Sequence, residues 1–434
     1  MNARQCALVT AAVLALAALF LSNLISIPFH PDEASLLFQS RDFEGLLQNP
    51  LNLSYSGDKP MNSGMRYRAL NAPLPKYILG IGRRAFGAEA QAVATDWDWS
   101  AGWQQNIENG AMPPGPALQG GRTASSLMAL AGALMIFWAG FELAGFPLAL
   151  SSMLLYGLNG YILLHGRRSM AEGTLLFTVS LLILLSLKAK RRSILAGVAA
   201  GLAFASKHSA LVLLIMPLAS LLGPSDTTNQ VPPRRRVFFL VTVFVVVVFV
   251  LTPFLWKSPI EAVQVSIGAR GQFLQRQQLV SEGLAPGATL QGFPEKMASL
   301  LGNTYLLPVQ FQEVGNYRQE LASSIGDYTN NTMHTLLVGP AQGALRLILL
   351  MLGIWGAFRW LRPKSEGGTS KYGVLAIGTV VMASSLLALN PLPYQRYYIP
   401  LMPLLVLWEA TGLVTLAQGL SEIVRGLKAR TVGA

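Results

Sequence analysis

The segment His30-Pro31-Asp32-Glu33 places two carboxylates directly after the first apolar run of the chain, residues 7–27. A carboxylate held where a chain leaves a bilayer can act as a general base, because it can remove a proton from an attacking hydroxyl at the membrane surface. The same residues favour a helix start, since proline suits the first helical position and acids in the first turn interact well with the helix dipole. Capping and catalysis are compatible, so Asp32 and Glu33 are predicted catalytic residues.

The composition indicates what kind of element must hold these acids. Hydrophobic residues make up 52% of the 434 residues and charged residues only 12%. Several apolar runs approach or exceed the roughly 20 residues needed to cross a bilayer as a helix. The sequence therefore predicts an all-α polytopic membrane protein. The net charge of +12 then reports membrane orientation and contact with lipid headgroups, and no basic motif interleaved with aromatic residues indicates nucleic-acid binding.

Ten membrane spans are predicted, with both termini on the cytoplasmic side. The apolar run at 75–86 is too short to cross and is predicted to be an interfacial helix. The stretch 193–222 is predicted to form two short spans that turn at Lys207. The spans are 7–27, 123–143, 147–164, 173–187, 193–204, 209–222, 237–255, 336–358, 372–389 and 399–417.

This topology follows the positive-inside rule. Basic residues concentrate in the inner segments at 188–192, 234–236 and 359–371, whereas the short outer loops hold few. Two long segments, 28–122 and 256–335, then lie on the extracytoplasmic side of a single domain that covers residues 1–434. Any function is expected to face outward.

Two further features have structural alternatives. Arg346 and Glu409 lie inside predicted spans at a similar depth, and because intramembrane charges are costly they are expected to pair with each other. Trp97, Trp99 and Trp103 could stack on a sugar, but an interfacial aromatic belt is the commoner arrangement. The four histidines lack the spacing of a metal site, so no metal or other cofactor is predicted, although a divalent ion could bind.

Several motifs occur in an order that resembles the C-type membrane glycosyltransferases of glycosyltransferase family 39, especially the protein O-mannosyltransferase and aminoarabinose transferase branches. Asp32-Glu33-Ala34 is similar to their acidic motif. The other similar segments, in chain order, are Asn71-Ala72-Pro73-Leu74, Arg122 with the small residues after it, His165 to Glu172, Gly201 to Lys207, and Arg396-Tyr397-Tyr398. The sequence departs from the family at Asn71-Ala72 and at Ser206, which replaces a common threonine.

The resemblance implies a C-type bundle of about ten spans that transfers a sugar from a polyprenyl-phosphate donor to a lipid, glycan or protein acceptor. An acceptor hydroxyl, deprotonated by Asp32, attacks the anomeric carbon with inversion. Glu172 is implied as a further catalytic acid that orients the acceptor or balances the phosphate-binding cations, although an acid at the start of a span also has a purely structural explanation. Guanidinium and ammonium groups suit phosphate binding. The candidates for donor-phosphate binding are Arg66, Arg68, Lys207, Arg396 and Tyr397.

A membrane transporter or lipid flippase is the main alternative, because it would also place polar groups among apolar helices. That class predicts inverted repeats and helices broken near the midplane, and the sequence contains no visible repeat. The short chain favours a bacterial inner membrane over the endoplasmic reticulum.

Overall fold

The computed structural model describes residues 1–57, 61–223, 232–313, 317–360 and 371–432. Arg362 and Lys364, two of the predicted inner-side charges, lie outside the described residues. The first apolar run forms α1 (Ala3–Leu21). The first long segment then carries five short helices, which are α2 (Pro31–Gln39), α3 (Asp42–Gln48), α4 (Ser63–Leu70), α5 (Pro73–Ala85) and α6 (Trp103–Glu108).

The rest of the described chain is also helical, and no strand occurs in it. Seven helices follow the first long segment: α7 (Gly115–Ala144), α8 (Phe146–Gly157), α9 (Gly160–Arg167), α10 (Ala171–Ser186), α11 (Ala189–Ser206), α12 (Ile215–Leu222) and α13 (Pro233–Leu251). The second long segment carries α14 (Pro259–Leu284), α15 (Phe293–Leu301) and α16 (Arg318–Asn330). The last three are α17 (Pro340–Trp360), α18 (Lys371–Leu389) and α19 (Met402–Val432).

The apolar helices make this an integral membrane protein. Within the described residues, five helices are long and apolar enough to cross a bilayer, and a sixth span results if the bent pair α8 and α9 is counted as one. Helices occupy all ten predicted positions, but α10 and α12 are short. The all-α membrane fold is confirmed, whereas the count of ten spans stays a prediction.

The span predicted at 147–164 differs in the structure, because it is bent by 62° between α8 and α9. The side chain of Asn159 accepts hydrogen bonds from the backbone N–H groups of Tyr161 and Ile162, which starts a new helix after the break. Gly160 also lies against the backbone carbonyl of His334, 2.4 Å from where a Cβ would stand. An Asn cap and a close backbone contact therefore replace one straight helix.

The chain turns at Lys207, as predicted. Lys207 has an extended backbone conformation that ends α11, a 3₁₀ turn over His208–Leu214 follows, and α12 packs back against α11. The helix ends assigned to the inner side also meet. Glu142 at the end of α7 binds Lys188 after α10 at 2.8 Å and Lys371 at the start of α18 at 3.1 Å. The opposite face, which carries the two long segments, is called the loop side below.

Close contacts at glycine residues hold neighbouring helices together. Gly82 of α5 and Gly120 of α7 approach so closely that a Cβ on either would lie 2.4 Å from the other's carbonyl oxygen. This contact seats the short helix α5 on a long apolar one. A similar crossing of α17 and α19 occurs at Gly353 and Gly412, as expected where small residues let membrane helices touch.

The predicted intramembrane ion pair is confirmed. Arg346 donates to both carboxylate oxygens of Glu409, at 3.1 and 3.0 Å, and both side chains are buried. Arg346 also donates to the carbonyl oxygens of Thr304 and Leu337. The pair therefore ties α17 to α19 and to the second long segment.

Candidate functional site

The start of α2 sets the geometry of the two acids. The Nδ1 atom of His30 accepts a hydrogen bond from the Asp32 N–H at 3.1 Å, and Glu33 accepts one from the His30 N–H at 3.0 Å. Pro31 occupies the first helical position. Because Nδ1 is an acceptor here, the proton of the ring stands on Nε2. That atom lies 2.7 Å from Glu313, so the cap also joins α2 to the second long segment.

Glu33 is fully buried and its hydrogen-bonding capacity is used. Arg122 binds both of its oxygens at 2.8 Å, and the Ser169 N–H donates to it at 2.8 Å. Burial alone would raise the pKa of Glu33, but Arg122, Arg168 and the Ser169 N–H together hold that pKa below its usual value. A carboxylate that accepts four hydrogen bonds, including the one from His30, is a poor proton acceptor, which suits it to holding α2, α7 and the Ser169 backbone together.

Asp32 points to different partners. Its side chain is 20% exposed and forms an ion pair with Arg396, which enters from the segment just before α19. The Nε atom of Arg396 lies 2.8 Å from Glu313. Burial would raise the pKa of Glu313, yet Arg396 and His30 hold it well below its usual range. One guanidinium is thus shared by two carboxyl groups.

A second ion pair stands beside this chain of charges. Lys207 binds Glu172 at 3.2 Å, so the end of α11 meets the start of α10. Lys207 Nζ lies 5.4 Å from the ring centre of Tyr397, and the guanidinium carbon of Arg396 lies 5.8 Å from the same ring. The phenol of Tyr397 donates to Gln277 of α14 at 3.4 Å. The Tyr397 ring therefore lies close to both cations, and its hydroxyl contacts α14.

These groups are called the loop-side cluster. They come from segments that are far apart in the sequence, yet they meet at helix ends on one face of the bundle. Such a set of cations around a partly exposed carboxylate can bind a phosphate and supply a general base. The cluster consists of His30, Asp32, Glu172, Lys207, Glu313, Arg396 and Tyr397.

Two of the predicted phosphate-binding residues are not brought into it. Arg68 binds Asp42 at 2.7 Å, next to the buried ammonium of Lys76, which lies 3.8 Å from the same acid. Burial lowers the pKa of Lys76 to about 8. Arg66 is exposed. Within the described part of the chain, neither arginine has a contact with the loop-side cluster.

Sequence reasoning missed Glu313 as a site residue. It lies 283 residues from His30 and belongs to no recognisable motif, so only the folded chain reveals it. His30 could have been predicted as a site residue, because it lies two positions before the acid pair. Arg168 is buried and interacts electrostatically with Glu33 and Glu313; the sequence placed it in an outer loop, within the family-like segment His165 to Glu172, and gave it no role of its own.

The tryptophans of the first long segment form packing contacts. Trp97 and Trp103 pack on Phe29 and Tyr317 with ring centres 5.4 to 5.9 Å apart, whereas Trp99 is exposed. These aromatic contacts hold Phe29, the residue that precedes His30, and connect it to Tyr317 at the start of α16. Among the described residues, no group of three or more potential ligands is arranged to hold a metal ion.

Comparison with solved structures identifies the fold. The oligosaccharyltransferase of Archaeoglobus fulgidus, crystallised with Zn and sulfate, aligns over 98% of this chain and 51% of its own, with a TM-score of 0.51 and 14% identity. Its structure with a tethered acceptor peptide gives a TM-score of 0.53 at 13% identity, covering 98% and 50% of the two chains. The present chain therefore spans about half the length of that protein.

The sequence matches no protein-family profile and no curated protein. The predicted resemblance to the C-type membrane glycosyltransferases is confirmed as a likeness of fold. At 13 to 14% identity a fold likeness carries no residue roles with it, so the chemistry must be argued from the loop-side cluster.

Proposed function

We propose that the protein is a membrane glycosyltransferase that moves a sugar from a polyprenyl-phosphate donor to an acceptor hydroxyl. The observation that carries the proposal is the Asp32–Arg396–Glu313 chain of charges beside Lys207. It combines a partly exposed carboxylate with two cations at helix ends on the loop side. The C-type fold supports the same reaction class.

In the proposed reaction Asp32 removes the proton of the acceptor hydroxyl, whose oxygen attacks the anomeric carbon. The bond from that carbon to the phosphate oxygen breaks, the configuration inverts, and polyprenyl phosphate leaves. Lys207 and Arg396 stabilise the negative charge that develops on the leaving phosphate. The ring of Tyr397 lies near both cations, and Glu172 keeps the ammonium of Lys207 in place.

In this reaction donor binding must also free Asp32, the base, from its ion pair with Arg396. In the free protein Asp32 is paired with Arg396. A phosphate that competes for this guanidinium loosens the pair, while Glu313 keeps Arg396 near the site. Asp32 is then free to accept a proton, so the donor is expected to bind before the acceptor reacts.

Reconstitution into liposomes tests the function. Labelled polyprenyl-phosphate sugars are supplied with lipid, glycan and peptide acceptors, and new glycosidic bonds are measured together with their anomeric configuration. Glycosidic bonds of inverted configuration support the proposal. Movement of the donor across the bilayer without any new bond indicates the transporter or flippase alternative instead.

The proposed location is a bacterial inner membrane, with both termini cytoplasmic and the loop-side cluster facing outward. Cys6 is the only cysteine of the sequence, which makes orientation measurable. In a Cys6→Ser background, Ser100→Cys places a thiol at an exposed position of the first long segment. A membrane-impermeant maleimide added to intact cells should label it, and labelling only after lysis would reverse the orientation.

A further inference from the structure

Buried polar atoms without hydrogen-bond partners collect beside the loop-side cluster. Both ring nitrogens of His165, the Nε and Nη1 atoms of Arg168, and the Oε2 atom of Glu172 have none. The three residues are at most 3% exposed. Buried polar groups in folded proteins are nearly always hydrogen-bonded, so five such atoms on three neighbouring residues call for a ligand or ordered water.

These residues lie in one short stretch that runs from the end of α9 to the start of α10. His165 lies in the last turn of α9, with its ring edge-on to Tyr161 at 5.1 Å, and Glu172 lies in the first turn of α10. His165 interacts electrostatically with Arg168, Glu172, Glu313 and Arg396, and Glu172 binds Lys207 of the loop-side cluster at 3.2 Å. The unpartnered atoms therefore stand next to the groups that would hold the base and the donor phosphate.

The chemistry of the set favours hydroxyl groups over a phosphate or a metal ion. Arg168 offers only donors, the free oxygen of Glu172 offers only an acceptor, and a neutral imidazole offers one of each. A phosphate accepts hydrogen bonds and would be repelled by the carboxylate of Glu172. A cation would be repelled by Arg168 and Arg396. A sugar ring carries hydroxyl groups that donate and accept, and it matches the mixed set.

Resting on the proposed function, we infer that His165, Arg168 and Glu172 form the subsite that binds the hydroxyl groups of the transferred sugar. Lys207 holds one oxygen of Glu172, which leaves the other directed to the sugar. The side chains of Asp32 and Arg396 are 20% and 14% exposed. The site is therefore partly open on the side where these two residues lie. The phosphate then binds at Lys207 and Arg396, and the sugar lies deeper, against α9 and α10.

The test separates the sugar from the lipid phosphate. Purified full-length protein in nanodiscs is titrated with bare undecaprenyl phosphate and with undecaprenyl phosphate carrying glucose, mannose, galactose or arabinose. The wild type should bind at least one glycosylated lipid more tightly than the bare lipid. His165→Phe keeps an aromatic ring of similar size but removes both nitrogens. It should weaken binding of that glycosylated lipid roughly tenfold, corresponding to one or two lost hydrogen bonds, and leave the bare lipid unchanged.

His208→Phe is the matched control, because His208 neighbours Lys207 but packs its ring against Phe204 at 5.0 Å. It should not change the ratio of the two affinities. His165→Gln retains hydrogen-bonding groups and should recover part of the preference; it also serves if His165→Phe lowers the melting temperature too far for titration. Equal loss of both ligands in His165→Phe, or no loss of either, would overturn the inference.

A wild type with no preference for any glycosylated lipid over the bare one also overturns it. In that case, retained binding of the bare lipid upholds the phosphate part of the proposed function. Failure to bind either kind of lipid would instead remove the proposed function itself.

Discussion

Two carboxylates that are neighbours in the sequence, Asp32 and Glu33, have opposite environments in the structure. Glu33 is fully buried and accepts hydrogen bonds from Arg122, the Ser169 backbone and the His30 backbone. Asp32 is 20% exposed and shares Arg396 with a second acid. The first environment is complete without a ligand, and the second is one that an anion can rearrange.

Under the proposed function, a membrane bundle uses the same ion-pair chemistry once for structure and once for catalysis. Exchanging the partners of a buried, bidentate carboxylate–guanidinium pair costs much free energy, because separating the two groups leaves two buried charges uncompensated. A guanidinium held between two acids can release one of them at lower cost. The pair of Arg346 and Glu409 belongs to the first kind, and the loop-side cluster belongs to the second.

The largest expected effect is on catalysis at Asp32. Asp32→Asn should lower the rate of sugar transfer by about 100- to 10,000-fold, the usual contribution of a general base, while the melting temperature changes little. Initial rates with a reconstituted donor and acceptor measure it. Asp98→Asn is the matched control, because Asp98 is exposed in the same long segment and bonds only locally. Near-normal turnover of Asp32→Asn would remove its role as base.

The opposite result is expected at Glu33. Glu33→Gln leaves the buried charge of Arg122 unpaired and should destabilise the fold by roughly 3–5 kcal/mol. Thermal unfolding of the detergent-solubilised protein measures the change against Glu89→Gln, which alters an exposed acid of the same segment. If Glu33→Gln kept full stability and lost only activity, the assignment of the two acids would have to be exchanged.

The intramembrane pair extends the comparison to a second buried, bidentate ion pair. Arg346→Met or Glu409→Leu alone should each cost roughly 3–5 kcal/mol, because the remaining partner is a buried charge. The double variant should lose less than either single one. A double-variant cycle of melting temperatures measures this coupling. Additive losses, in which the double variant loses the sum of the two single losses, would show that each residue acts without the other.

The smallest expected effect is a pH dependence of stability that Glu33 contributes. Its pKa in the folded protein lies below the ordinary value of 4.5, so in that range the unfolded chain binds more protons than the folded one. The stabilisation is fully present above about pH 4.5 and is lost as the pH falls through the lower folded pKa. Between pH 6 and pH 3 the melting temperature of the wild type should fall more steeply than that of Glu33→Gln. Parallel curves would contradict the ion-pair assignment.

The start of α2 is the part of the site that the sequence predicted best. Proline at the first helical position and acids in the first turn are local signals, and the helix begins at Pro31. Lys207, Arg396, Tyr397 and Glu172 also meet near Asp32, in agreement with the predicted helix ends. Their catalytic and binding roles stay predictions.

The pairing of individual acids and cations could not be predicted from the sequence. Arg66 and Arg68 carry the same charge as Arg396, but Arg68 pairs with Asp42 and Arg66 faces solvent. Nothing in a sequence distinguishes a cation that an acid has already neutralised from one that is available. The same holds for Asp32 and Glu33, since the partner that saturates Glu33 is 89 residues away.

The sequence by itself determined that this chain is an all-α membrane protein, which of its helix ends lie on a common face, and that Arg346 and Glu409 pair. Apolar length, capping residues and charge in the membrane act over a few residues or along one axis, so they can be read in order along the chain. Only the tertiary structure decided which acid is saturated and which is shared, and it alone brought Glu313 to His30 and Arg396. Coulombic and hydrogen-bonding interactions act over a few ångströms between atoms, whatever the number of residues between them.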